Sequence, residues 1–155
     1  MTIKEVADEA LLFAKGASKL NLCPEVEAEG TKWRFLGIQS KNRKEWTISH
    51  IANMHMKCTT VAMYDTLGEQ AMKFVVNQTE LTTVACSSDY VKKISQMKIK
   101  DKELPEEEQR MHRLVHIVSF EDNLSKEDLE LADQAGIKVI PYHQVLEEGK
   151  TNDSF

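Results

Sequence analysis

The stretch that most constrains the fold runs over residues 36–68, L-G-I-Q-S-K-N-R-K-E-W, a helical run, then T-T-V-A-M-Y-D-T-L-G. Its first part, 33–38, alternates and carries β-branched and aromatic residues, which suits a strand. Asn42 then stands where a helix cap is expected, with Glu45 three residues on to complete a capping box. Trp46, Ile51, Ala52 and Met56 fall mostly at helical spacing, predicting a helix over 43–57. A β-rich run over 58–64 follows, and the break at 65–68 ends it. Strand, helix and strand in this length imply parallel strands joined by a right-handed crossover.

The rest of the chain repeats the unit. Thr2 and Glu5 form a T-x-x-E box before a helix over 3–20, with Ile3, Val6, Ala7, Ala10, Leu11, Ala14 and Ala17 on one face. Residues 21–32 hold Pro24 and Gly30 and read as a connector. Thr66 and Glu69 offer a second box, for a helix to about 78. Residues 82–86 read as a strand, and Ser87 or Ser88 caps a helix through Tyr90, Val91, Ile94 and Met97. The densely charged 98–110, with Pro105, reads as a solvated loop. Residues 114–120 form a buried strand. Ser125 and Asp128 begin a helix around 129–135 that Gly136 ends. A last strand covers 137–140, a short helix 142–148, and a polar tail 149–155. Five strands alternating with helices predict an α/β fold with a mostly parallel sheet.

Composition narrows the function classes. A chain of 155 residues suits one domain with a real core. The net charge of −5 argues against a nucleic-acid partner, which wants a basic face. No apolar run approaches a membrane span, and the acidic first ten residues are not a secretory signal. Cys23, Cys58 and Cys86 lie far apart in sequence with no C-x-x-C pair, so reduced thiols are expected rather than a disulfide framework or a zinc site.

The chemically tempting residues each have a plainer role. His50 and His55, five apart on one helix, diverge by about 140° and make poor joint metal ligands. His116 is expected to be packed or hydrogen-bonded in the sheet, and His112 lacks a third ligand. His143, after Pro141, and Asp65 stand at strand ends, where α/β proteins hold ligands; Asp65 is first expected to cap its turn. Tyr64 and Trp46 are expected to pack. Glu106, Glu107 and Glu108 form a solvated acidic run. No G-x-G-x-x-G, G-x-x-x-x-G-K-[ST] or G-x-S-x-G string occurs.

Gly37, Ile38, Asn42, Arg43, Glu45 and Trp46, followed by Val61 and then Tyr64, Asp65, Thr66, Leu67 and Gly68, resemble the N-terminal subdomain of the long-chain fatty-acid–CoA ligases. That adenylate-forming, AMP-binding family reads G-I-x-x-x-N-R-x-E-W and then V-P-L-Y-D-T-L-G. Ala62 stands here for the family's proline and Met63 for its leucine. The resemblance runs over about 2–150 and is strongest over 36–84. It implies a parent enzyme that joins a fatty acid to ATP with magnesium, then passes the acyl group to coenzyme A. The family's phosphate loop, roughly T-S-G-T-T-G-x-P-K, is absent, and the six glycines are unclustered. The expectation is therefore a segment with no catalytic, cofactor-binding or metal-binding residues of its own, binding no cofactor alone. Residues 1–150 would be part of the AMP-binding domain, cut at both ends, and 151–155 a frayed tail. Its partner would be the remainder of the ligase domain. It would be cytoplasmic, although the parent family is often associated with membranes of the endoplasmic reticulum, mitochondrion or peroxisome. The alternatives are a free-standing α/β binding or interaction module and an unrelated small enzyme on a doubly wound sheet, with a pocket at the strand C-termini.

Overall fold

Alternating apolar strands with helices between them assemble as a five-stranded parallel sheet in the order β4-β3-β5-β6-β7. The computed structural model describes residues 1–64, 66–153 and 155. The strands are β3 (Phe35–Gln39), β4 (Thr59–Ala62), β5 (Thr83–Cys86), β6 (His116–Ser119) and β7 (Lys138–Pro141). The helices are α1 (Ile3–Lys19), α2 (Lys44–His55), α3 (Glu69–Gln78), α4 (Ser88–Lys102), α5 (Lys126–Ala135) and α6 (Tyr142–Lys150).

Side-chain alternation along the strands divides the core in two. Leu36, Ile38, Ala85, Val118 and Ile140 point to one face and pack under α1, α2 and α6. Val84, Cys86 and Ile117 point to the other, against Met72, Val76, Val91, Ile94, Met97, Ala132 and Ala135 of α3, α4 and α5. Crossover handedness explains the division. The chain steps from β3 to the edge strand β4 through α2. It then reverses direction to reach β5, so a crossover of the same hand must lie on the opposite face. The reversal leaves β3 and β5 as adjacent strands whose connections depart to opposite sides, a topological switch point.

Several local expectations hold. The Thr2–Glu5 capping box is formed, with Glu5 N–H donating to Thr2 Oγ1 at 3.2 Å and Thr2 N–H to Glu5 Oε2 at 2.6 Å. Ser125 caps α5 by accepting from Asp128 N–H at 3.0 Å, and Gly136 ends it with φ +70°.

Others are corrected. Residues 21–32 are not a plain connector: β1 (Val26–Ala28) and β2 (Thr31–Trp33) pair antiparallel. Glu29 and Gly30 both have positive φ, the geometry of a two-residue primed turn. The hairpin is mostly exposed, so it carries no alternating apolar signature. Trp33 belongs to β2, and the main strand starts at Phe35. The face of α1 is rotated from the expected one: Ile3, Ala7 and Leu11 are exposed, while Phe13 and Gly16 are buried. Gly149 belongs to α6, not to the tail, and is also buried.

The boxes predicted at Asn42 and Thr66 do not form. Each helix starts one or two residues later than the box requires, with Arg43 and Gly68 as N-caps and no side-chain cap bond.

The charged stretch 98–110 is also not all loop. The helix α4 continues through Lys102, and Lys98 and Asp101, one turn apart, are buried. Lys98 Nζ donates to the Leu114 carbonyl. Asp101 Oδ2 accepts from the backbone N–H groups of Arg110 and Met111 at 2.9 and 2.8 Å, and Lys73 Nζ lies 3.6 Å from its other oxygen. These bonds fasten the loop after α4 to its last turns. Burial pulls the Lys98 ammonium down to about 8, with Lys102 adding to the effect and Asp101 opposing it.

Candidate functional site

The switch point places the loops after β3, β5 and β6 together at the C-terminal end of the sheet, where open α/β sheets hold ligands. Here lies a cleft of about 330 Å³. Lys41, Asn42 and Arg43 line it from the first loop, Ser87 from the second with Ser88, Asp89 and Tyr90 from the first turn of α4, and Glu121 from the third loop.

Arg43 joins all three loops. Its Nε donates to Glu45 Oε2 at 2.6 Å, and its Nη1 to Glu121 Oε1 and to Ser87 Oγ, the latter at 3.4 Å. The guanidinium also sits 5.2 Å from the centre of the Phe120 ring, a cation–π distance. Glu121 uses its other oxygen to accept from Ser88 N–H at 2.7 Å, at the first turn of α4. A helix start is the natural seat of an anion, and here the protein's own carboxylate fills it. The short motif N-R-x-E-W is thereby explained. Its Arg43 and Glu45 form the hub, and its Trp46 packs against the core beneath α2.

The electrostatics are those of a satisfied network. The Glu45 hydrogen bond leads in firming the Arg43 proton, with burial opposing and Glu121 adding. Burial works to raise the Glu45 carboxyl, but the Arg43 bond, its own backbone N–H and the nearby cations outweigh it and hold it low. Ser87 Oγ accepts from Arg43 Nη1 and so belongs to the same network.

The residues singled out by sequence are scattered. His50 Nδ1 lies 2.9 Å from Thr60 Oγ1, and its ring is 5.5 Å from Trp46, so it is part of the packing between α2 and β4. His55 and His112 are exposed. His116 is half-buried, and its Nδ1 has no hydrogen-bond partner among the described residues. Burial and then Lys138 push its pKa down. His143 is exposed and sits 2.7 Å from Asp122 Oδ1. It borders a separate cleft between α1 and α6 rather than the switch point. Tyr64, expected to pack, is 70% exposed, since β4 ends at Ala62 and the chain leaves the sheet edge. Asp65 lies outside the described residues. The acidic run 106–108 is an exposed turn of 3-10 helix. Among the described residues no group of three or more His, Cys, Asp or Glu is placed to hold a metal. No described helix is long and apolar enough to cross a membrane. Glu121, which completes the hub, was missed in the sequence because nothing local links it to Arg43.

Comparison with known proteins gives a consistent picture. No family model matches the chain. Fatty acyl-CoA synthetase B of Dictyostelium discoideum is 29% identical over 115 residues, 74% of this chain and 16% of that protein. Long-chain-fatty-acid–CoA ligase 5 of Rattus norvegicus is 29% identical over 119 residues, 77% of this chain and again 16% of the relative. The chain thus spans about one-sixth of the length of these relatives. Among solved structures, the A domain of the carboxylic acid reductase of Segniliparus rugosus, determined with AMP and a co-purified carboxylic acid, superposes with a TM-score of 0.72. That match is 13% identical in sequence and covers 98% of this chain and 23% of that one, so it speaks to the fold.

Proposed function

The chain is a relative of the long-chain fatty acyl-CoA ligases with the fold of an adenylation domain, and on that premise we propose that it is the scaffold segment of such a ligase. The parent reaction activates a long-chain fatty acid with ATP and magnesium to an acyl-adenylate, then transfers the acyl group to coenzyme A. A carboxylate is a poor electrophile; adenylation gives it a good leaving group, and magnesium offsets the phosphate charge. In this reading the segment contributes no catalytic, metal or cofactor ligand. It holds part of the wall, and its partner is the remainder of the ligase domain in the cytoplasm.

The observation that carries the proposal is the internal pairing of Arg43 and Glu121 at the wall of the switch-point cleft. A phosphate-binding cleft leaves helix-start N–H groups and cations free for the ligand. Here Glu121 takes the α4 start and Arg43 is spent on Glu45 and Glu121. No glycine lines the cleft. The geometry serves to lock three loops in register, as a supporting subdomain requires.

Sequencing the native transcript across the Phe155 codon tests this reading. The expected result is an open frame that continues into a Gly- and Thr-rich loop of the T-S-G-T-T-G type. A stop codon directly after Phe155 would defeat it and favour the free-standing interaction module.

A further inference from the structure

The parallel sheet has two edge strands, and the chain treats them differently. β7 is guarded. Its Lys138 N–H donates to the Val115 carbonyl at 2.9 Å, so Lys138 and Ile140 turn their backbone groups inward to β6 while Val139 and Pro141 turn theirs outward. Pro141 has no N–H to offer there, and Lys138 adds an exposed charge; both devices keep a strand edge from pairing with another chain. β4 is open. Thr59 N–H donates to the Arg34 carbonyl at 2.7 Å and Met63 N–H to the Ile38 carbonyl at 2.9 Å, which turns the backbone groups of Thr60 and Ala62 outward. Among the described residues no strand pairs with this outer side of β4. Thr60 and Ala62 both keep their N–H groups, and Ala62 is exposed. The run 58–64, C-T-T-V-A-M-Y, carries no charge, proline or glycine. Such a run on an edge is a template for another strand. Tyr64, 70% exposed just beyond the strand, adds apolar surface that pairing would cover.

We propose that β4 pairs antiparallel with β4 of a second copy of this chain, about a two-fold axis at Val61. In that register Thr60 of one copy faces Ala62 of the other, and each such pair exchanges both of its backbone bonds. Charge selects the second copy and the direction. The run is bounded in sequence by a basic residue, Lys57, and an acidic one, Asp65. Antiparallel pairing sets the basic end of one run beside the acidic end of the other, whereas parallel pairing would set like ends together. The two-fold makes the contact isologous, so it closes at a dimer, and the guarded β7 edges stop the joined sheet from growing further. The pairing stands on backbone geometry and is independent of the ligase reading.

The test is sedimentation velocity of the full 155-residue chain over a wide range of concentration. The expected result is a reversible monomer–dimer equilibrium. Ala62→Pro removes the Ala62 donor from both copies, and with it half of the inter-strand bonds, so it should raise the dimer Kd at least about tenfold. Ala62→Lys keeps the N–H but puts charge on the edge. It should weaken the dimer as well, and it stands in for Ala62→Pro if circular dichroism shows that variant unfolded. Crosslinking reads the register. Val61 opposite itself is a non-hydrogen-bonded pair with Cα atoms about 4.5 Å apart, within disulfide reach. Val61→Cys should therefore give a covalent dimer on mild oxidation, while neither the wild type nor Thr59→Cys, whose copies lie at opposite ends of the contact, should do so. A monomer at every concentration would overturn the proposal and leave the edge to a strand of a different chain. A dimer indifferent to both Ala62 variants, or a Val61→Cys chain that forms no covalent dimer, would place the contact elsewhere and overturn it equally.

Discussion

A Gly16→Ala variant is expected to melt about 10 °C below the parent, a loss of about 3 kcal/mol. On intrinsic helix propensity alone the substitution should instead stabilise α1 by about 1 kcal/mol, so the sign of the change is itself informative. The argument rests on how closely α1 and α6 approach. A β-carbon on Gly16 would stand 1.8 Å from the Val145 carbonyl oxygen, and one on Gly149 would stand 2.0 Å from the Leu12 carbonyl oxygen. Both obstacles are backbone, so a side-chain rotation cannot relieve them; the helices must separate. Separation would open the Phe13–Tyr142 stack, whose ring centres are 5.3 Å apart, and the bond from Tyr142 Oη to Glu9 at 3.1 Å. It would also break the Lys19–Glu148 pair and the bond from Asn152 to the Lys15 carbonyl. Gly149→Ala should act in the same way. Gly68→Ala is the control, since nothing lies within 4 Å of its added carbon. Urea midpoints followed by circular dichroism should fall for the first two variants and stay nearly unchanged for the third.

The second large effect belongs to Arg43. Arg43→Ala is expected to lower stability by about 2 kcal/mol, below the roughly 3 to 5 of a fully buried pair because the network is partly open to water. It strands Glu45, which is 9% exposed, and frees Glu121 from the β3–α2 loop. Arg43→Lys should recover only part of the loss, because one ammonium cannot span Nε and Nη1 contacts to two carboxylates. A double-mutant cycle with Glu121→Gln separates the pair from the rest. Non-additive losses confirm that the two residues act together, and simple addition would contradict the hub. Each Arg43 variant should also loosen backbone protection at the start of α4, where Glu121 holds Ser88 N–H.

How much of this was legible in the chain depended on the range of the interaction. The alternation at 33–38, the β-branched and apolar runs at 82–86 and 114–120, the helical spacing of α2 and α3 and the cap and stop of α5 are local patterns, and they were enough for the α/β fold. The motif residues Arg43, Glu45 and Trp46 were visible as a family resemblance. Their purpose was not, because Glu121 lies 78 positions from Arg43. Gly16 and Gly149 fail to announce themselves for the same reason: each sits in an ordinary helical run, and only their juxtaposition matters. Charge density misled the reading of 98–110, where a buried Lys98 and Asp101 share one helix face with exposed neighbours. The Glu29–Gly30 hairpin was missed because it buries little and so imposes little pattern.

The most direct test of the central claim is a calorimetric titration of Mg-ATP into the purified 155-residue chain. Because Arg43 and Glu121 at the wall of the switch-point cleft are paired with each other and the chain carries no phosphate loop, the account predicts no saturable binding. Stoichiometric binding at micromolar affinity would contradict it.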